Sequence, residues 1–156
     1  MIVNKCVEQG IYVPLILSLE KEHRPLSSAE LSAILSVSDS YLKKILRKLV
    51  LAGIISSASG KEGGFRLARP LEEISVFDIY AALEGEECEL KTTGIGNRIF
   101  IDDGKFSRGA SEVEDVFDRA NRAFLEELKK LPLSDLADEE NYREGKIAFE
   151  ERLRSL

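Results

Sequence analysis

The stretch SSAELSAILSVSDSYLKKILRKLVLAG, residues 27–53, decides the fold of this chain. Ser27 is followed three residues later by Glu30, a capping-box pattern that predicts the start of a helix. Ser38 is the predicted N-cap of a second helix, and Gly53 lies where a left-handed residue ends it. The second helix carries one apolar stripe at helical spacing, formed by Leu42, Ile45, Leu46, Leu49 and Val50. Two helices joined by so short a turn are typical of a helix-turn-helix.

The next stretch, IISSASGKEGGFRLARP at residues 54–70, predicts a small β-hairpin. Two short β-type runs, 54–58 and 65–67, flank a glycine-rich turn at 59–64, and Pro70 closes the unit. A hairpin placed directly after the second helix of a helix-turn-helix is called a wing. We therefore predict a mainly α protein, a winged helix-turn-helix with a small β-hairpin wing.

Helices are predicted on both sides of this unit. Residues 3–22 have apolar side chains at every fourth position, and Pro14 within them is expected to kink or break the helix. Ser75 is the expected cap of a short helix that ends at Gly85. These elements complete a predicted winged-helix DNA-binding domain over residues 1–85.

A long helix is predicted from Ser111 to about Leu131. Its apolar residues are spaced almost as in a coiled-coil seam, which predicts a dimer interface: Val113, Phe117, Ala120, Phe124, Leu128 and Leu131. Residues 138–156 read as a final amphipathic helix weakened by Gly145. We assign 111–156 to a dimerisation helix and a C-terminal helix.

The segment 86–110 has a weaker pattern and is treated as a variable connection. A small hairpin around Asp103-Gly104 and an irregular loop both fit its residues. The two structures remain open alternatives at this point.

Charge is distributed unevenly along the chain. The formal net charge is −6, but residues 27–70 hold seven basic and three acidic side chains, a balance of +4. Residues 71–156 hold twelve basic and twenty-two acidic side chains, a balance of −10. Because a nucleic-acid surface needs only a local positive field, the basic segment is compatible with DNA as partner.

Composition also excludes several classes of protein. Two cysteines are too few for a disulfide framework, and no apolar run is long enough to span a membrane, so we expect a cytoplasmic protein without a membrane partner. We find no Gly-rich phosphate loop and no Ser-His-Asp set, and a single histidine excludes a multi-histidine metal site within one chain. We therefore expect that this chain is not an enzyme.

Three motifs resemble the Rrf2 family of bacterial winged helix-turn-helix transcription regulators. They are Ser38-x-Ser40-Tyr41-Leu42, Leu49-x-x-Ala52-Gly53-Ile54-Ile55 and Gly60-x-x-Gly63-Gly64-Phe65-x-Leu67-Ala68-Arg69-Pro70. Glu84-Gly85 matches the "EG" that ends the family segment after the wing. The resemblance is specific over residues 3–85 and implies a homodimeric, sequence-specific regulator of double-stranded DNA, with repression expected rather than activation.

The resemblance also implies which residues touch DNA. In the second helix these are Ser38, Ser40, Tyr41, Lys43, Lys44, Arg47 and Lys48, and in the wing Ser59, Lys61 and Arg66. Hydroxyls and helix-start amides can donate to phosphates, and lysine can meet guanine acceptors. The chain has Lys43 where relatives often have Glu or Gln, and Ser59 where many have Arg.

What controls the regulator is open. Cluster-binding relatives hold three cysteines in the loop where this chain has only Cys88, so an iron–sulfur cluster is not expected. A redox switch at Cys88 or Cys6 and a small-molecule effector bound near residues 90–110 are alternatives. A winged-helix module that binds protein instead of DNA is the alternative function.

Overall fold

The computed structural model describes residues 4–60, 63–85 and 104–154. In chain order the elements are α1 Lys5–Leu19, α2 Ser28–Leu35, α3 Asp39–Leu51, β1 Ile55–Ala58, β2 Gly64–Leu67, α4 Val76–Glu84, α5 Gly104–Lys129, α6 Glu139–Glu144 and α7 Phe149–Arg154. Short 3-10 turns lie at Lys21–His23, Leu71–Glu73 and Leu133–Leu136. No helix of the described ranges is both long and apolar enough to cross a membrane.

The helix-turn-helix is formed by α2 and α3, as predicted. The Ser27 hydroxyl accepts a hydrogen bond from the Glu30 amide at 3.2 Å, and the Glu30 carboxylate accepts one from the Ser27 amide at 2.8 Å. This reciprocal pair satisfies amides that the first turn of α2 leaves unbonded. Ser36, at φ 54°, adopts the left-handed conformation that ends α2. The chain can therefore turn into α3 within three residues.

The start of α3 lies where the sequence predicted it, but the cap differs. Ser38 precedes the helix with an extended backbone, and its carbonyl accepts the hydrogen bond from the Leu42 amide at 3.0 Å. Its side chain makes no capping hydrogen bond. The Ser38 hydroxyl is thus not used to hold the first turn.

The core is built around the apolar stripe of α3. Leu42, Ile45, Leu46 and Leu49 are buried, and they pack among buried side chains of α1, α2 and α4. Full burial of such side chains contributes roughly 1.5–3 kcal/mol each. The stripe therefore fixes the rotation of α3 about its own axis and leaves its charged side outside.

The wing is an antiparallel hairpin of β1 and β2, which confirms the prediction. Ile55 pairs with Leu67 and Ala58 with Gly64. Phe65 in addition exchanges two backbone hydrogen bonds with Leu26, of 2.8 and 3.2 Å, so the segment between α1 and α2 adds a third pairing partner. The base of the wing is thereby joined to the helix-turn-helix.

Pro14 does not break α1, which was one of the two effects predicted for it. The helix runs without interruption from Lys5 to Leu19, and Pro14 is buried inside it. An interior proline costs about 3 kcal/mol through its lost hydrogen bond and ring clash. Val13, Leu15, Ile16 and Leu17 are buried beside it, and their burial offsets that cost. The helix ends at Leu19, earlier than predicted, and a 3-10 turn at Lys21–His23 follows it.

Two predictions about the region after α4 are wrong. The long helix α5 begins at Gly104, so Ser111 lies inside it and residues 104–107 do not belong to a hairpin. The rest of the hairpin-or-loop question concerns residues 86–103, outside the described residues. The single amphipathic helix expected over 138–156 is two helices, α6 and α7, because Gly145 takes φ 60° between them.

The compact units also differ from the predicted division. Residues 128–156 belong with residues 1–85 in one unit, and residues 86–127 form the other. Leu133 and Tyr142 are buried in the winged-helix core, and Ile147 bonds through its backbone to Leu19 and Lys21 at 2.8 and 2.9 Å. The C-terminal segment is thus part of the winged-helix unit, and the boundary at residue 85 is common to both divisions.

We predict that Gly145→Ala destabilises the protein by about 3 kcal/mol, because it combines left-handed strain with a clash. A Cβ at Gly145 would lie 2.4 Å from the Glu20 carbonyl oxygen, whereas one at Gly53, at a similar φ of 66°, would meet nothing within 4 Å. Gly53→Ala therefore costs only the strain, about 1 kcal/mol. Urea unfolding of both variants measures the difference, and equal losses would contradict the close approach at Gly145.

Candidate DNA-binding surface

The side of α3 opposite the buried stripe carries polar and basic residues. Ser40, Tyr41, Lys43, Lys44 and Arg47 are exposed there, Tyr41 with 38% of its surface accessible. Arg66 is exposed on β2, opposite Ser56. We call the exposed residues 40, 41, 43, 44 and 47 of α3 the basic surface, whereas Arg66 lines a cavity together with Glu20 and Glu30. Most of the residues predicted to touch DNA are therefore on the outside of one helix and one strand.

Two basic side chains of residues 27–70 form ion pairs with carboxylates of the same chain. Lys43 Nζ lies 2.6 Å from Asp39 Oδ2, and Arg69 Nη2 lies 2.8 Å from Asp78 Oδ1. Lys44, Arg47 and Arg66 have no ion pair with any other residue in the described ranges. These three side chains are free of ion pairs with the described residues, whereas Lys43 is paired but 60% exposed.

Lys48 departs from the predicted site. Its Nζ donates a hydrogen bond of 2.5 Å to the carbonyl of Leu83, near the end of α4. The residue remains exposed, but its ammonium is held at the end of α4, one turn from Lys44 on α3. We remove Lys48 from the basic surface and assign it a structural role between α3 and α4.

The wing residues are placed less completely. Ser59 is exposed at the end of β1, next to Gly60. Lys61, also predicted to touch DNA, lies outside the described residues. The structure thus places Arg66 and Ser59 on the wing and says nothing of Lys61.

Arg69 and Asp78 join the exit of the wing to α4. Ser75 and Asp78 form a capping box, in which the Asp78 carboxylate accepts from the Ser75 amide at 2.7 Å. Burial alone would raise the pKa of Asp78, but the Ser75 hydroxyl and the Arg69 guanidinium outweigh it and the pKa is lowered. The carboxylate therefore stays charged at neutral pH and pairs with Arg69, whose side chain is 30% exposed.

A second charged cluster fixes the entry to the helix-turn-helix. Arg24 donates to Glu20 at 3.0 and 3.2 Å and to Glu30 at 2.8 Å. Glu20 is buried, and its other oxygen accepts from the Phe149 amide at 3.3 Å. The end of α1, the start of α2 and the start of α7 are therefore joined by one network of ion pairs and hydrogen bonds.

Cys6 does not have the environment of a reactive thiol. Its Sγ donates to Glu84 Oε1 at 3.0 Å, and burial, together with that carboxylate, raises its pKa to about 11. Because the thiolate is the form that is oxidised, this environment disfavours the predicted redox role of Cys6. Cys88 lies outside the described residues. Within the described residues no group of three or more His, Cys, Asp or Glu side chains could hold a metal ion.

The apolar stripe of α5 is largely accessible. Val113 and Phe117 are exposed by 49% and 45%, Ala120 is also exposed, and Phe124 and Leu128 are half-buried. Leu131, just beyond the helix, is 39% exposed. Val116, which the spacing of the predicted seam omitted, is 53% exposed and widens the apolar face.

Sequence reasoning missed the partners of the cations rather than the cations themselves. The pair of Asp39 and Lys43 has the i, i+4 spacing of a helical ion pair and could have been found. The contacts of Lys48 with Leu83 and of Arg69 with Asp78 join different elements. No pattern along the chain indicates them.

Comparison with known proteins gives consistent matches. The model of the Rrf2 family, described as an iron-dependent transcriptional regulator, matches residues 3–139. YffB of Lactococcus lactis subsp. lactis, named as an HTH-type transcriptional regulator, is 38% identical over 136 residues, 86% of each chain. YwgB of Bacillus subtilis, named in the same way, is 40% identical over 94 residues, 60% of each chain.

The fold is similar to that of solved structures. CymR of B. subtilis, a global cysteine regulator, superimposes with a TM-score of 0.62 over 88% of this chain and 96% of its own, at 23% identity. At that identity the likeness supports the fold alone.

Proposed function

The chain belongs to the Rrf2 family and is an HTH-type transcriptional regulator, and we propose that it acts as a homodimeric repressor that reads a specific double-stranded DNA sequence through α3 and the wing. The observation that carries this proposal is the basic surface: free cations on the exposed side of the second helix of a helix-turn-helix. The other polar residues of that side have hydroxyls that suit phosphate contact.

The proposed DNA contacts follow from the geometry of α3. A recognition helix enters the major groove by its N-terminal end. Ser38 and Ser40 lie at that end, and their hydroxyls and the first amides of the helix can donate to phosphates. Lys44 and Arg47 lie one turn apart further along, where they can reach bases or the far backbone. Arg66 and Ser59 would meet the neighbouring minor groove or its rim.

Dimerisation is proposed from α5. The helix has 26 residues and is therefore about 39 Å long. Its apolar stripe has an exposed Val113, Val116 and Phe117, and a soluble monomer rarely leaves such a row open to water. A second copy of the same helix, with the same spacing, would cover it. The two winged helix-turn-helix units of one dimer would then contact half-sites on successive turns of DNA.

Repression is the proposed sign of regulation. A dimer bound across a promoter blocks other proteins sterically and needs no further contact to do so. A winged-helix module that binds protein instead of DNA is the competing function, and the DNA measurements below separate the two.

An iron–sulfur cluster of the kind bound by relatives does not fit the residues of this chain. Such a cluster needs several thiolates, and the sequence has two cysteines and one histidine. Cys6 keeps its proton and bonds to Glu84. We propose that the protein regulates transcription without a cluster, and that its signal is a small-molecule effector or another input not carried by thiolate-bound iron.

We predict that Lys44→Gln and Arg47→Gln each weaken DNA binding about tenfold and reduce the salt slope by about one, because each removes a phosphate contact. Lys48→Gln, the same charge change on the same helix, should alter affinity less than twofold, since Lys48 is bonded to Leu83. The duplex is selected from bacterial genomic fragments, and fluorescence anisotropy is measured between about 50 and 200 mM salt.

Equal losses in all three variants would contradict the orientation of Lys48. Absence of any bound fragment would overturn the DNA-binding proposal and favour the protein partner. A reporter placed behind the selected fragment tests the sign, and higher output in the presence of the protein would contradict repression.

We predict that Phe117→Asp converts the protein from a dimer to a monomer of 17.4 kDa, because a carboxylate would be buried in the interface. Arg122→Asp, an exposed position on another side of α5, should leave the dimer intact. Sedimentation equilibrium gives both masses. A wild-type chain that sediments as a monomer would refute the dimer directly.

We predict that protein purified without oxygen contains far less than one iron atom per chain and shows no visible absorption of a cluster. Metal analysis and absorption spectra measure this, with Cys88→Ala as control. Stoichiometric iron that disappears in Cys88→Ala would show that the chain assembles a cluster with fewer cysteines than its relatives use.

A further inference from the structure

Asp39 is an acidic side chain at the edge of the basic surface, and it lies beside Lys43. Asp39 Oδ2 is 2.6 Å from Lys43 Nζ, one turn further along α3. The Lys43 side chain remains 60% exposed. The ammonium is therefore held by the carboxylate and still accessible to a ligand.

The second oxygen of Asp39 faces the protein. Oδ1 is buried and makes no hydrogen bond with the residues that the structure describes. Lys43, and after it the nearby hydroxyl of Ser28, lower the pKa of Asp39, so the carboxylate is charged at neutral pH. With one oxygen inside and the other on Lys43, Asp39 is not placed to read a base. Its effect on DNA must pass through Lys43.

We expect the ion pair of Asp39 and Lys43 to lower the affinity for unrelated DNA more than the affinity for a specific site. Non-specific binding depends on the positive charge that a protein brings to the phosphates, and Asp39 cancels that of Lys43. The ammonium of Lys43 has three donors, so it can stay on Asp39 and still donate to the O6 and N7 atoms of a guanine, which lie at one fixed place in the groove.

We propose that Asp39 is a positioning residue that determines specificity, because it neutralises Lys43 toward phosphates and holds its ammonium in place to donate to a guanine edge. This inference rests on the proposed function, since it requires that α3 binds DNA. Asp39 weakens binding to unrelated sequences more than binding to the operator. Its loss would leave the operator contacts intact and strengthen the non-specific ones.

The test compares Asp39→Asn with wild type on two duplexes, the selected genomic fragment and a random sequence of equal length. Affinity for the random duplex should rise about fivefold, with a salt slope steeper by about one. Affinity for the selected fragment should change less than twofold, so the specificity ratio falls by roughly the same fivefold. Asp135→Asn, an exposed carboxylate outside the basic surface, makes the same charge change and should leave the ratio unchanged.

The double variant Asp39→Asn/Lys43→Gln separates this role from general repulsion. In the Lys43→Gln background, Asp39→Asn should have no more effect than Asp135→Asn. Asp39→Glu, which keeps a carboxylate within reach of Lys43, should retain most of the wild-type ratio. Thermal melts of all variants show that the comparison is made between folded proteins.

Two results would overturn the inference while the protein still binds DNA. One is a specificity ratio that Asp39→Asn leaves unchanged. The other is an equal effect of Asp39→Asn with and without Lys43, which would make the carboxylate a simple repulsive charge. If wild-type protein binds neither duplex, the proposed function fails, and with it this inference.

Discussion

Burial of the apolar stripe of α3 is the constraint on which the other features of the surface depend. Leu42, Ile45, Leu46 and Leu49 allow only one rotation of the helix against the core, because any other would bring lysines inside. That rotation turns Lys44 and Arg47 outward. The wing is then placed by a second, backbone-level constraint, the two hydrogen bonds between Phe65 and Leu26. The outward orientation of the basic surface of α3 thus follows from packing that involves no charge.

The basic side chains of residues 27–70 have different roles, and the role of each depends on the residues that it contacts. Lys48 and Arg69 serve the fold, since each joins its element to α4. Lys43 is paired within its own helix, and Lys44 and Arg47 are open. A count of charges along the sequence treats them as equal, whereas the structure gives each a different share in binding. Net local charge therefore locates the surface but overstates its strength.

The parts of the fold that could be predicted have signals within a few residues. The capping pattern of Ser27 and Glu30, the turn before Asp39 and the glycines of the wing act locally, and the structure has them where the sequence indicated. Pro14 does not break α1, because the burial of its neighbours offsets the cost of an interior proline. No sequence pattern within a few residues predicts that burial. Gly145 was recognised as a weakness, but its role depends on the Glu20 carbonyl, distant in sequence. The partner of Lys48 lies 35 residues away and has no counterpart in the pattern of α3.

Both ends of α4 contact other elements of the winged-helix unit: its start contacts the exit of the wing, and its end contacts α3 and α1. At its start, Asp78 holds Arg69 and with it the exit of the wing. At its end, the Leu83 carbonyl accepts from Lys48 of α3, and Glu84 accepts from Cys6 of α1. A displacement of Leu83 and Glu84 would change a contact of α3 itself, because Lys48 is bonded to the backbone there.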